Sequence, residues 1–143
     1  MRENQLTTKL QEALVAANET AVSRKHPYIT DVHLMRAVMS DVTGFTQYLF
    51  NQLEIRPEAY REALDKKLSE IAEVSGGANL SASRELVRLM NEAAVEAKAA
   101  GDDFIGVAAL FTALMKTPCE ASDIAKNLGM TATLVGKAVK EFK

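Results

Sequence analysis

Tyr28-Ile29-Thr30-Asp31-Val32-His33-Leu34-Met35-Arg36-Ala37-Val38-Met39 returns 76 residues later as Phe104-Ile105-Gly106-Val107-Ala108-Ala109-Leu110-Phe111-Thr112-Ala113-Leu114-Met115. The same offset pairs Leu10 with Leu86, Leu14 with Met90, Ala17 with Ala93 and Ala21 with Ala97. Later the offset falls to 75: Leu53 matches Leu128, Ile55 Met130, Tyr60 Val135 and Leu64 Val139. Matches sustained through a whole repeat with one gap identify two like units. Neither is large, so pseudo-twofold packing around one shared core is expected.

Each unit reads as four helices. In the first, Leu6, Leu10, Ala13, Leu14, Ala17 and Ala21 follow the 3–4 spacing of a one-sided helix. Thr8 and Gln11 have the spacing of a capping box at its start. Its end is expected before His26-Pro27, because the residue ahead of proline disfavours the α region. Thr30 is the expected N-cap of a second helix carrying Leu34, Ala37 and Val38. A third spans about 46–53. A fourth begins near Pro57, a favoured first helical residue, and turns Tyr60, Ala63, Leu64 and Leu68 inward.

The second unit repeats the pattern. Its helices are expected over about 83–100, 107–116 and 122–128, with a last one capped by Thr131. Gly101 and Gly129 are the expected left-handed residues past two helix ends. The units span about 5–72 and 82–143 within a single domain, 1–143. Between them residues 73–81, with two glycines, read as a flexible linker. The fold class is all-α: eight helices in two pseudo-twofold four-helix repeats.

Composition agrees. Of 143 residues, 48% are apolar and 25% charged, as in globular proteins, with seven Gly and three Pro. No apolar run is long enough to cross a bilayer, and no secretory signal is read at the N-terminus. The single Cys119 cannot form an internal disulfide and fits a reducing, cytoplasmic setting. Residues 1–75 carry 9 basic and 11 acidic groups, and residues 76–143 carry 8 of each. Neither half has the basic field of a nucleic-acid or anionic-membrane binder.

The candidates for chemistry are few. His26 and His33 lack a second ligand at metal spacing and read as structural, His33 at least partly buried. Cys119 would be a nucleophile only beside a histidine base. Arg84, Glu85, Arg88, Glu92 and Glu96 read as a solvated face with an Arg88–Glu92 pair. The six methionines suit a flexible core or an adaptable apolar groove. Residues 122–135 imitate a helix-turn-helix, and residues 124–143 carry four Lys and one Glu. The second of those helices offers Thr131, Ala132, Thr133 and Gly136, with no side chain suited to reading base edges. Gln52-Leu53-Glu54-Ile55-Arg56-Pro57 holds the same place in the first repeat, so the motif reads as the repeat's own turn. There is no phosphate loop, hence no expected ATP hydrolysis, and no cofactor is implied.

Leu6-Thr7-x-x-Leu10, His33-Leu34-Met35 and Gly101-Asp102-Asp103-Phe104-Ile105 resemble the Clp N-terminal domain. That domain is a tandem repeat of four-helix units ahead of the ATPase rings of Clp unfoldases. The resemblance covers about residues 5–141. Val32-His33-Leu34-Met35 is most similar to the disaggregase type, ClpB. The protease-linked type has glutamates that bind phosphoarginine where this chain has Val32 and Ala108.

The resemblance implies a non-catalytic module capturing unfolded or aggregated polypeptide for the ATPase ring of a longer parent chain. It implies a monomeric domain in a hexameric parent, with neither nucleic acid nor membrane as partner. The alternatives are a Clp domain of another subtype that binds one adaptor or sheath protein, and a helix-turn-helix regulator. The ClpB pattern places functional residues at Thr7 and Asp102; an acidic residue expected near Ala108 is missing. Met90 and Ala109 are candidates for apolar binding surface, with plain core packing as the alternative. The repeat makes Thr7 the counterpart of Ser83, where a hydroxyl can also cap a helix.

Overall fold

The computed structural model describes residues 5–75 and 79–142. Among these the first unit forms α1 (Thr8–Ser23), α2 (Asp31–Val38), α3 (Gly44–Leu53) and α4 (Pro57–Ser69). The second forms α5 (Arg84–Ala99), α6 (Val107–Lys116), α7 (Glu120–Asn127) and α8 (Ala132–Glu141). Among the described residues no helix is long and apolar enough to cross a membrane. Of the expected linker, residues 76–78 lie outside the described residues; those flanking them form no helix.

The pseudo-twofold relation holds at single hydrogen bonds. Thr7 N–H donates to Ile105 O (3.0 Å) and Ile105 N–H to Gln5 O (2.8 Å). At the equivalent places Ser83 N–H donates to Ile29 O (2.8 Å) and Ile29 N–H to Ser81 O (3.0 Å). Each unit's entry segment therefore pairs with the loop ahead of the other unit's second helix. Thr7 and Ser83 both cap their helices, accepting from Leu10 and Leu86 N–H at 3.2 Å. This corrects the expected Thr8–Gln11 box. Thr8 is the first helical residue, and the Gln11 amide reaches back to Leu6 O instead.

The third and fourth helices exchange partners too: α3 packs on α8 and α4 on α7. The core is therefore common to both units. Leu10, Ala17, Ala21, Leu34, Tyr60, Leu64 and Leu68 are buried, as are Leu86, Ala93, Ala97, Leu110, Phe111, Val135 and Ala138. Ala37 and Ala63, expected inward, are half-buried. Tyr60 O–H donates to Ala121 O at 2.8 Å, a buried bond from α4 to α7.

Helix ends repeat as well. Gly101 and Gly129 have φ of +77° and +111°, the left-handed values expected of them. Their counterparts are Lys25 and Glu54, at +58° and +56°, where no glycine stands. α7 begins at Glu120, two residues before the expected start, with Cys119 as its N-cap.

Candidate functional site

The units differ where the end of the first helix, the second helix and the fourth helix meet. In the first unit that space is filled. The His26 and His33 rings are buried, with Nδ1 of one 2.8 Å from Nε2 of the other. Thr30 N–H donates to His33 Nδ1 at 3.0 Å, completing a capping box with the Thr30 hydroxyl. Since that nitrogen accepts, His33 Nε2 carries the proton and donates to His26 Nδ1. Burial, with the charges of His26 and Arg24, pushes the His33 imidazole down to about 4. Beside it Arg36 Nε meets Asp65 at 2.7 Å, tying α2 to α4, and Arg61 donates to Met39 O at 3.0 Å.

In the second unit the same positions are small. The repeat places Ala109 at His33, Thr112 at Arg36 and Gly136 at Arg61. A cleft of about 360 Å³ opens there, lined by Asp102, Ala108, Ala109, Thr112, Gly136, Val139 and Lys140, with Glu96, Ala99 and Ala100. Its floor is methyl groups and backbone; a Cβ on Gly136 would meet nothing within 4 Å. Asp102 takes the place of His26: each donates its backbone N–H to the helix before it, to Ala97 O and Ala21 O, at 2.9 Å. The Asp102 side chain is exposed, and among the described residues it and Lys140 form no ion pair.

Glu96 is differently placed. Its carboxylate meets Lys116 Nζ at 2.8 Å and shares a hydrogen bond with Glu92. That sharing raises Glu92 and lowers Glu96. The expected Arg88–Glu92 pair is thus replaced by a Glu92–Glu96–Lys116 cluster joining α5 to α6; no Arg88 ion pair occurs among the described residues.

Of the four candidates, Asp102 and Ala109 line the cleft, and Ala109 is at the same time buried in the core, at 8% exposure. Thr7 is not part of the cleft lining. Its methyl lies 3.2 Å from where a Cβ on Gly106 would be, at the start of the helix that carries Ala108 and Ala109. Met90 is half-buried against the core. Thr112, Gly136 and Lys140 were not singled out from sequence. For Thr112 and Gly136 the signal lies in the repeat itself, as large-to-small replacements at the positions of Arg36 and Arg61; Lys140, at the position of Asp65, carries no such signal.

Cys119 has no histidine base. Burial and the Asp31 charge push its thiol up to about 12, far from a nucleophile's range. Asp31 is buried and accepts from Ala121 N–H at 2.8 Å; burial raises its carboxyl. Those residues, with Tyr60, hold α7 against the first unit.

Two interlocked four-helix units, the second opening a cleft where the first packs His26 against His33, define an all-α tandem-repeat domain. The family model of the Clp repeat (R) N-terminal domain matches residues 5–128, and the chain belongs to that family. It is 30% identical over 143 residues to chaperone protein ClpB of Porphyromonas gingivalis, covering all of this chain and 16% of that protein. It is 32% identical over 148 residues to ClpB of Lactiplantibacillus plantarum, covering 100% and 17%. The chain thus spans about a sixth of the length of these curated relatives.

In fold it is similar to the Hsp104 N-terminal domain of Candida albicans, with a TM-score of 0.83, 15% identity and coverage of 96% and 91%. It is also similar to the N-domain of ClpV from Vibrio cholerae, with a TM-score of 0.80, 15% identity and coverage of 98% and 86%. A ClpV N-domain in complex with a VipB peptide matches with a TM-score of 0.79, 16% identity and coverage of 98% and 88%.

Proposed function

We propose that the chain is the substrate-recognition domain of an ATP-dependent Clp chaperone. It captures segments of unfolded or aggregated polypeptide for the ATPase ring of a longer, cytoplasmic, hexameric parent, and itself catalyses nothing. The observation that carries this is the cleft. It is lined by alanines, Gly136 and Val139 together with the polar Asp102, Thr112 and Lys140. Shallow methyl-lined surface with few fixed polar groups binds many sequences weakly, as capture requires. Asp102 and Ala109 are its rim and floor. Thr7 supports the start of α6 from outside, and Met90 contributes to the α5 packing behind it.

The test is binding of a permanently unfolded model protein to the chain and to Asp102→Ala and Ala109→Phe. Both variants are expected to weaken capture several-fold, with Asp102→Ala leaving the melting temperature unchanged. Undiminished capture by both removes the cleft from the reading.

The ClpV–VipB peptide complex supports a second reading, in which the same cleft takes one cognate segment of an adaptor or sheath protein. A peptide array separates the two: broad apolar preference supports capture, and a single strong sequence supports a cognate partner.

A further inference from the structure

We propose that the chain associates with itself head to tail, the outward face of α1 in one copy seated on the outward face of α5 in the next. The inference goes beyond the capture reading and does not depend on the cleft. α1 and α5 hold the same place in the two units. Leu10, Ala13, Ala17 and Ala21 of α1 are buried, as are Leu86, Leu89, Ala93 and Ala97 of α5. The opposite faces of both helices are exposed.

Those outward faces differ in charge. On α1 the exposed stripe at helical spacing is Glu12, Val15, Glu19 and Val22. On α5 it is Val87, Arg88, Asn91, Val95 and Lys98, with Arg84 at its start. Among the described residues Glu12, Glu19, Arg84, Arg88 and Lys98 form no ion pair. The other charges of the two helices are engaged elsewhere. Lys9 meets Asp41, Glu92 and Glu96 gather with Lys116 of α6, and Glu85 borders a pocket at the start of α7. Arg24, just past α1, acts on the histidine pair. One face is therefore acidic and the other basic, and both carry valines 39–58% exposed.

The two stripes also match in spacing. Laid antiparallel with Val15 against Val95, equal helical rise sets Glu12 against Lys98. In the other direction Glu19 falls against Asn91, within a turn of Arg88, and Val22 falls beside Val87 and Arg88. Charge selects this pairing over the twofold ones. α1 on α1, or α5 on α5, would set like charges together. A different partner would have to offer a basic helix to one face or an acidic helix to the other; a second copy offers both. A contact between unlike faces leaves one of each free on every pair, so it extends past two copies into rings or filaments.

Exposed ion pairs are weak and screened by salt. The contact is therefore expected at about millimolar concentration, as copies tethered on short linkers in one assembly experience. The test is sedimentation equilibrium of the 143-residue chain at about 1 mM in low salt. The weight-average mass should rise about half or more above the monomer's 15.6 kDa and return to it as salt is added. Glu12→Lys with Glu19→Lys makes both faces basic, and Arg88→Glu with Lys98→Glu makes both acidic. Each pair of changes should leave the chain monomeric. All four together exchange the charges of the two faces and keep the net charge, and association should return. These side chains are exposed, and circular dichroism checks that each variant folds.

A wild-type chain that stays monomeric at this concentration overturns the inference and leaves the two faces to other partners. Association that survives either pair of changes overturns it as well, because the opposed charges then have no part in it. So does a fourfold variant that stays monomeric.

Discussion

His33 has both ring nitrogens committed: Nδ1 accepts from Thr30 N–H and Nε2 donates to His26. Protonation forces Nδ1 to give up its acceptor role, so the folded state resists it. The imidazole sits at about 4 when folded against an ordinary 6.5. A depressed histidine favours the fold above 6.5, and that contribution is lost as pH falls from about 6.5 towards 4, because the unfolded chain takes the proton first. The loss amounts to at most about 3 kcal/mol. His26, also depressed by burial, adds in the same sense. Asp31, raised by burial, opposes it below its own folded value. Melting temperatures measured from pH 7 to 4 are expected to fall in the wild type and to fall less in His33→Gln. Glutamine at this position can keep the bond from Thr30 N–H without titrating. Parallel curves for the two chains would show that the pair is not the titrating element.

Glu54 is the second residue with a consequence of its own. It holds φ +56° at the end of α3, where its repeat partner is Gly129. A side chain in the left-handed region costs about 1–2 kcal/mol, and glycine removes that cost at some expense in unfolded-state entropy. Glu54→Gly is therefore expected to raise stability by about 0.5–1 kcal/mol, read from urea unfolding. A loss of stability would mean that the Glu54 side chain makes a contact worth more than the strain.

At the scale of elements, the repeat made the helices legible, because apolar spacing and cap residues recur at one offset. Thr30, Pro57, Gly101, Gly129 and Thr131 stand where sequence chemistry placed them. Local chemistry does not separate Thr7 from Thr8 as the first cap, because both are threonines. The choice depends on Thr7 pairing with Ile105, a partner 98 residues away that no local pattern reveals. The cleft was half legible. Asp102 is marked by the family resemblance and Ala109 by its apolar character, and nothing local marks Gly136 as a wall.

Gly136 lies inside α8, where glycine disfavours the helix by about 0.5–1 kcal/mol relative to alanine. Nothing lies within 4 Å of an added Cβ, so Gly136→Ala is expected to stabilise by that amount. The same methyl narrows the cleft, and capture of an unfolded model protein should weaken. Higher stability with unaltered capture would detach α8 from the site.

For the whole molecule, the exchange of partners decides how it unfolds. Each unit's entry segment is held by the other's loop, α3 leans on α8 and α4 on α7, and Tyr60 reaches across to Ala121. Separating the units would expose Phe45, Leu49, Phe50, Leu64 and Leu68 on one side, and Ala121, Ala125, Val135 and Ala138 on the other, all buried here. A unit of about 70 residues stripped of that much core has little left to offset its conformational entropy. The chain is therefore expected to unfold in one transition. Far-ultraviolet circular dichroism reports the helices, and near-ultraviolet tyrosine signal reports the buried Tyr60 at the junction. Their thermal midpoints should coincide. Residues 1–75 expressed alone should show no cooperative transition, although α1, α2, α3 and α4 are all present in them. Two resolved midpoints in the intact chain, or a sharp transition in the isolated first unit, would show that the shared core is not what holds either half together.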